Sequence, residues 1–370
     1  MRTFLLRCAA RMLLGGCFLS TGLLPAFAQN RVDQSPRRGE TVVCGANPEA
    51  TPGGLAVVLA SGQHRGIYRR DQYLQALNNP FMSGVAVQIN WRDIEPVQGK
   101  PEWSKLDELF AAAESSKKWV HVAIFPGFFS PEWALEGAKT DLFEIPYGPG
   151  HDTVAKLPMP WDRVYLNRWF AFVRQVGDRY GKSPVFRIIA AAGPTSVSEE
   201  TTLPSSPQAK QKLLQDGYTL DKYLGAWEET FHVYAQAFPN QCVSLATGKR
   251  NIAVVERAKR VFGRRLAIQM NDLHAGSAKG AAPDTTEFIR SYSGQIITGL
   301  EMRGASQDLI PSKTMGAEGD PPLALRRSID KGMALNKAGR HVNYLEIYMA
   351  DVLPPAMQPV LRYAASLFQH

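Results

Sequence analysis

The sequence predicts a single (β/α)8 TIM barrel, an α/β fold, preceded by an irregular N-terminal segment. Three observations point to it. Short apolar or β-branched runs alternate with longer amphipathic stretches from about residue 54 onward, eight such alternations follow one another, and no shift in composition divides them. Continuous apolar runs, with few alternating polar positions, mark strands buried on both faces of a parallel sheet.

In order, the first strand is expected over Leu55–Ala60 with its helix over Arg70–Asn78, and the second over Val85–Trp91 with Ser104–Ser116. The third, Trp119–Phe125, precedes a helix over Tyr165–Tyr180, and the fourth, Val185–Ala192, precedes Leu220–Phe238. Cys242–Thr247 with Ile252–Phe262, Leu266–Asn271 with Thr285–Tyr292, Gln295–Glu301 with Leu323–Leu335, and Val342–Tyr348 with Met357–Phe368 complete the set. An open doubly wound sheet would carry a glycine-rich phosphate turn after its first strand, and Ala60-Ser61-Gly62-Gln63-His64 is not one. The chain also lacks a Walker A run, an HExxH helix, a CxxC pair and a GxSxG elbow.

Residues 1–28 have the pattern of a secretory signal peptide. Arg2, Arg7 and Arg11 form a basic start, Met12–Leu24 is apolar, and Ala26-Phe27-Ala28 supplies the small residues of a cleavage site. The expected location is therefore secreted or periplasmic. Glycines, Ser20, Thr21 and Pro25 interrupt the apolar run, which is too short for a membrane anchor, so no stable membrane insertion is expected after cleavage. Leu14-Gly15-Gly16-Cys17 is a poor lipoprotein box with almost no apolar stretch before it. Residues 29–53 read as an irregular lead-in, and 54–370 as the catalytic barrel.

The net charge of +8 falls to about +5 once the leader arginines are set aside, and no dense basic run with interleaved aromatics appears, so a nucleic-acid partner is not expected. Cys44 and Cys242 remain after the leader. In an exported chain they are either a disulfide or two separate small apolar residues, and spacing leaves both open.

Catalytic residues of a barrel of this kind lie at the carboxyl ends of its strands. After the second strand come Trp91-Arg92-Asp93-Ile94-Glu95-Pro96, Gly99 and Trp103-Ser104-Lys105-Leu106-Asp107. This segment resembles the retaining glycoside hydrolases of the large (β/α)8-barrel clan, clan A. The resemblance implies a carbohydrate substrate, no cofactor or metal, and two catalytic carboxylates, one after the fourth strand and one at the end of the seventh. Trp91 could offer its face to a sugar or pack in the interior, Trp103 is better read as packing, and Glu95 is expected to hold loop backbone.

Clan members place an Asn-Glu pair at the end of the fourth strand, where this chain has Ala192-Gly193. The nearest carboxylates are Glu199 and Glu200, on a loop that Gly193-Pro194 could turn back across the barrel mouth. Glu200 is preferred as general acid/base because Ser198-x-Glu200-x-x-Leu203-Pro204 resembles a loop pattern of some barrel relatives, with Glu199 in reserve. In the seventh strand, Gly299-Leu300-Glu301-Met302-Arg303 buries a carboxylate at a cost of several kcal/mol unless it is partnered. The resemblance makes Glu301 the nucleophile, with Arg303 a candidate to hold it ionised.

Asn271 and His274 end the sixth strand, and alternation puts Tyr344, Glu346 and Tyr348 on one face of the eighth. Asn271, His274, Glu346 and Tyr348 are expected to bind substrate, with His274 a candidate to orient Glu301 and Glu346 a reserve catalytic carboxylate. The long loop after the third strand carries Phe128, Phe129, Trp133, Tyr147 and Trp161, and Trp133 and Trp161 are expected to line a sugar cleft or to form a satellite apolar cluster. The expected function is a secreted glycoside hydrolase of retaining mechanism. The alternative is a catalytically inactive barrel that binds envelope polysaccharide, with lyase or deacetylase-like chemistry ranked last and the oligomeric state left open.

Overall fold

A computed structural model describes residues 43–44, 51–60, 70–146, 151–248, 251–276, 285–306 and 319–369. The proposed leader, most of the lead-in, the turn after the first strand and Tyr147 lie outside the described residues.

The eight expected strands are present as β1 (Gly54–Ala60), β2 (Met82–Asn90), β3 (Trp119–Phe125), β6 (Phe186–Ala190), β7 (Cys242–Ala246), β8 (Leu266–Leu273), β9 (Ile297–Met302) and β10 (Tyr344–Tyr348). They close into an all-parallel barrel in the order β1-β2-β3-β6-β7-β8-β9-β10, with β10 pairing back onto β1. Each expected helix is also present, within three residues of its predicted ends. The outward faces of the strands and the apolar stripes of the helices form one large buried cluster, which includes Leu55, Val57, Val85, Val120, Ile189, Val243, Ile268 and Leu345. Burial of that shell supplies the main favourable term for the fold.

Two elements break the regular alternation. The long connection after β3 contains an antiparallel hairpin, β4 (Thr140–Glu144) and β5 (Val154–Pro158), whose Phe143 and Leu157 pack with Phe128, Phe129, Met159 and Val197. A helix over Pro207–Gln215, capped by the Ser206 hydroxyl accepting from the Ala209 N–H, precedes the expected helix at Leu220–Ala237.

The N-terminal end of the barrel is closed from inside. Cys44 and Cys242 form a disulfide, with Cα atoms 5.7 Å apart, in a buried cluster with Ala56, Trp119, Ile188, Ala267, Ile297 and Tyr344. The Tyr344 ring crosses the interior so closely that a Cβ on Gly299 would lie 2.1 Å from it, which restricts that strand position to glycine. The disulfide closes a sequence separation of 198 residues. Replacing both cysteines by serine is therefore expected to lower stability by about 2–5 kcal/mol, read as a fall in the urea midpoint under non-reducing conditions.

Candidate active site

Above that apolar plug the barrel interior turns polar, because most of the strands contribute an inward side chain that can hydrogen-bond. Glu301 on β9 and Glu346 on β10 are register partners on adjacent strands, so two carboxyls sit side by side in the interior. Like charges in that arrangement repel, and the surrounding groups offset this by donating hydrogen bonds. Glu301 Oε1 accepts from the Tyr348 hydroxyl at 2.7 Å, and Oε2 accepts from Gln88 Nε2 at 2.8 Å. Glu346 Oε1 lies 2.6 Å from His121 Nδ1, and Oε2 accepts from Gln269 Nε2 at 2.9 Å. His121 Nε2 in turn meets the Ser244 hydroxyl at 3.0 Å.

Gln269 links the two levels. Its carbonyl oxygen accepts from the Tyr344 hydroxyl at 2.6 Å, which fixes the amide so that Nε2 faces Glu346, Asn271 Oδ1 at 2.8 Å and, at the longer distance of 3.5 Å, Glu301 Oε2. With its oxygen engaged by Gln269, Asn271 turns its own Nδ2 onto Glu199 Oε1 at 2.6 Å. The other Glu199 oxygen, Oε2, is buried and makes no hydrogen bond among the described residues.

Glu199 reaches this point by a detour. The Ala191 N–H bonds Ser244 O as a continuation of β6, and the chain then leaves the sheet and rejoins it beside Ala246, where Glu200 bridges and the Thr201 N–H donates to Ala246 O at 2.9 Å. Thr201 anchors the return, its carbonyl accepting from Asn251 Nδ2 at 2.6 Å and from the Tyr223 hydroxyl at 3.1 Å. No carboxylate can stand at the strand end itself. Gly193 has φ 141°, and a Cβ there would lie 2.8 Å from the Trp169 ring.

The carboxyls border a cavity of about 550 Å³ at the carboxyl ends of the strands, lined by Glu199, Glu200, Glu301, Asn271, Tyr348 and Gln88 among others. Its size is that of an ordinary small-ligand site. A larger hollow of about 940 Å³ lies at the opposite end of the barrel and has no carboxylate in its lining.

Burial raises the proton affinity of Glu301 and Glu199. Glu301 is pushed well above the usual carboxylate range by desolvation and by the charges of Glu346 and Glu199, against the opposing hydrogen bonds of Tyr348 and Gln88. Glu199 is raised by desolvation, against its own backbone N–H, Asn271 and His121, with a smaller raising contribution from Glu346. The pair thus retains a proton above the pH at which an exposed glutamate loses it.

Of the expected site residues, Glu200, Glu301, Asn271 and Tyr348 line this cavity. Glu200 is half-buried, whereas Glu199 is fully buried. Several expectations are corrected. Trp91 opens a short helix and is fully buried among Trp133, Trp169 and Phe172, with Nε1 donating to Glu95 Oε2 at 3.1 Å, so it has no face to offer a sugar. Trp133 packs edge-on against Trp91 and donates to Glu95 O, and Trp161 packs on Tyr218; neither lines the cavity. Glu346 lies beneath the cavity with both oxygens engaged, out of reach of substrate hydroxyls. His274 is buried outside the lining. Arg303 pairs with Asp272 at the rim, at 3.5 Å, and the groups that hold Glu301 are Tyr348 and Gln88. Glu95 does hold loop backbone, accepting from the Gly99 N–H at 2.8 Å.

Gln88, His121, Ser244 and Gln269 did not emerge from the sequence as site residues. Each is a polar residue on the inward parity of an otherwise apolar strand, and that was the available signal.

No protein-family model and no curated protein sequence matches the chain. Solved structures do. An exo-β-1,4-mannosidase from Opitutaceae bacterium strain TAV5 superposes with TM-score 0.54 at 12% identity over 86% of this chain, which spans 60% of that one. Xylanase 10B from Thermotoga maritima gives TM-score 0.51 at 11% identity, covering 86% of this chain and 96% of that one. The catalytic domain of β-amylase from Paenibacillus polymyxa gives 0.53 at 12%, covering 86% of this chain and all of the other. At such identities the likeness concerns architecture, and on it the chain has the (β/α)8-barrel fold of clan A-like glycoside hydrolases.

Proposed function

We propose that this protein is an exported glycoside hydrolase that cleaves the O-glycosidic bonds of an oligo- or polysaccharide by a retaining, two-carboxylate mechanism. Glu301 is the nucleophile, and Glu199, in place of the Glu200 expected from sequence, is the general acid/base. The observation that carries the reading is the asymmetry between the two buried carboxyls. Glu301 receives a donor on each oxygen, the environment of a carboxylate, whereas Glu199 has one oxygen bonded to Asn271 and one buried and unbonded, the environment of a carboxylic acid ready to donate. Burial and neighbouring charge raise Glu301 further than Glu199, so the acid role of Glu199 rests on the hydrogen-bond pattern.

In the first step Glu301 attacks the anomeric carbon while Glu199 protonates the departing glycosidic oxygen. In the second, Glu199 accepts a proton from the water that releases the sugar from Glu301. Phe125 and Phe129, which also line the cavity, offer apolar surface to the C–H faces of a sugar ring.

The test is hydrolysis of aryl glycosides and polysaccharides, beginning with β-mannosides and xylan after the neighbours' names, with the anomer released first read by proton NMR. Retained configuration supports the reading and inverted configuration overturns Glu301 as nucleophile. Binding without turnover by the wild type favours the inactive polysaccharide-binding barrel. Activity should follow a bell in pH. Its two limbs, the successive ionisations of the coupled Glu199–Glu301 pair, should both lie above the ~4.3 of an exposed glutamate, because burial raises both groups. The profile of kcat/KM checks this.

A further inference from the structure

Glu346 has no part in the chemistry just described, yet it is a fully buried carboxylate whose two oxygens are both engaged, on a strand position in register with the nucleophile. A buried charge that neither touches substrate nor closes a simple ion pair at the surface costs several kcal/mol and calls for a reason. We propose that the buried Glu346–His121 pair is a positioning and charge-setting unit, which keeps one proton on the Glu199–Glu301 pair and directs it to Glu199. This rests on the reading of Glu199 and Glu301 as the reactive carboxyls.

The geometry supplies two routes. The first is electrostatic. The pair is oriented, its carboxylate toward Glu301 across Gln269 and its imidazole on the far side against Ser244, so the negative end faces Glu301 and favours retention of a proton on the reactive pair there, while at Glu199 the His121 charge opposes it. The second is the run of amides. Tyr344 and Glu346 together leave Gln269 one orientation, Gln269 leaves Asn271 one orientation, and Asn271 then presents a donor to Glu199 Oε1, so that a proton on Glu199 belongs on the unbonded Oε2. The titratable groups facing Glu346 are His121 from β3, Glu301 from β9, Tyr344 and Tyr348 from its own strand, and Glu199 from the loop after β6; β2, β7 and β8 contribute Gln88, Ser244 and Gln269, which do not titrate.

The experiment is a carbon-13 NMR titration of the whole protein labelled at the glutamate carboxyls, with Glu199 and Glu301 assigned by their glutamine variants. Glu346→Gln should move the Glu301 titration step down by about one pH unit, and the acid limb of kcat/KM should follow, with KM little changed because residue 346 does not border the cavity. Ser244→Ala removes the contact on the far nitrogen of His121. It should loosen the ring that fixes Glu346 Oε1 and move the steps by roughly half a unit. Steps that superimpose on the wild type in either folded variant overturn the proposal. The titration needs no turnover, so unmoved steps in an active enzyme defeat the role of Glu346 alone, and moved steps in an inactive protein defeat the hydrolase reading alone.

Discussion

Glu301→Gln should abolish turnover, with kcat falling by a factor on the order of 10⁴ or more, while the folded protein becomes more stable at alkaline pH. The first effect follows from chemistry. An amide of the same shape can keep its oxygen on Gln88 Nε2 and donate its nitrogen to the Tyr348 hydroxyl, but it cannot form a glycosyl ester, and loss of a nucleophile removes the stabilisation supplied by the other catalytic groups as well. The second follows from linkage. Glu301 binds its proton more tightly folded than unfolded, so its contribution to stability is fully present below the unfolded value and is lost as pH rises through the raised folded value. Glutamine has no proton to lose. The urea-unfolding free energies of wild type and variant should therefore nearly coincide at pH 4 and diverge in favour of the variant by pH 8, by at least roughly 1 kcal/mol for each unit by which folding raises the group. An active variant defeats the nucleophile assignment. A variant less stable at pH 8 shows that Glu301 supports the fold.

That test separates two things that were unequally legible in the sequence. The barrel was readable because each strand is a mostly apolar run with few polar residues, such as Val120-His121-Val122-Ala123-Ile124 with His121 on the inward parity, as a parallel strand covered by helices requires. Glu301, Asn271 and Tyr348 were readable because a polar residue at the carboxyl end of such a strand has one place to go. The hairpin at Thr140–Glu144 and Val154–Pro158 was hidden because its strands mix exposed Leu142 and Val154 with buried Phe143 and Leu157, in a stretch punctuated by glycine and proline. Trp91 illustrates a different limit. A tryptophan at the end of a strand can face the cavity or the interior, and here the choice was made by Trp133, Trp169 and Phe172, which arrive from a distant loop and helix. The choice between Glu199 and Glu200 was the least legible, since two adjacent glutamates on a loop differ only in what lies beside each of them after folding.

Glu199→Gln and Glu200→Gln turn that last distinction into a measurement. Protonation of the leaving oxygen contributes about 10²–10⁴ to the rate when the leaving group is a poor one, such as another sugar, and little when it is a nitrophenol that departs unprotonated. Glu199→Gln should accordingly lose about that factor on an oligosaccharide and far less in the glycosylation step of a nitrophenyl glycoside. It should also flatten the alkaline limb of the pH profile, because the group whose ionisation sets that limb is gone. The fold should tolerate the change: Asn271 Nδ2 can still donate to the carbonyl oxygen of the new amide, leaving the amide nitrogen in the place of the unbonded Oε2. Glu200→Gln should stay within a few-fold of wild type on both substrates, because Glu200 is tied to the barrel through the backbone bridge to Ala246, which the substitution leaves in place. The reverse pattern, with leaving-group dependence in Glu200→Gln and near-normal rates in Glu199→Gln, would return the acid/base role to the residue first expected from sequence. Asn271, Gln269 and Tyr344 would then be orienting a carboxyl that takes no part in the reaction.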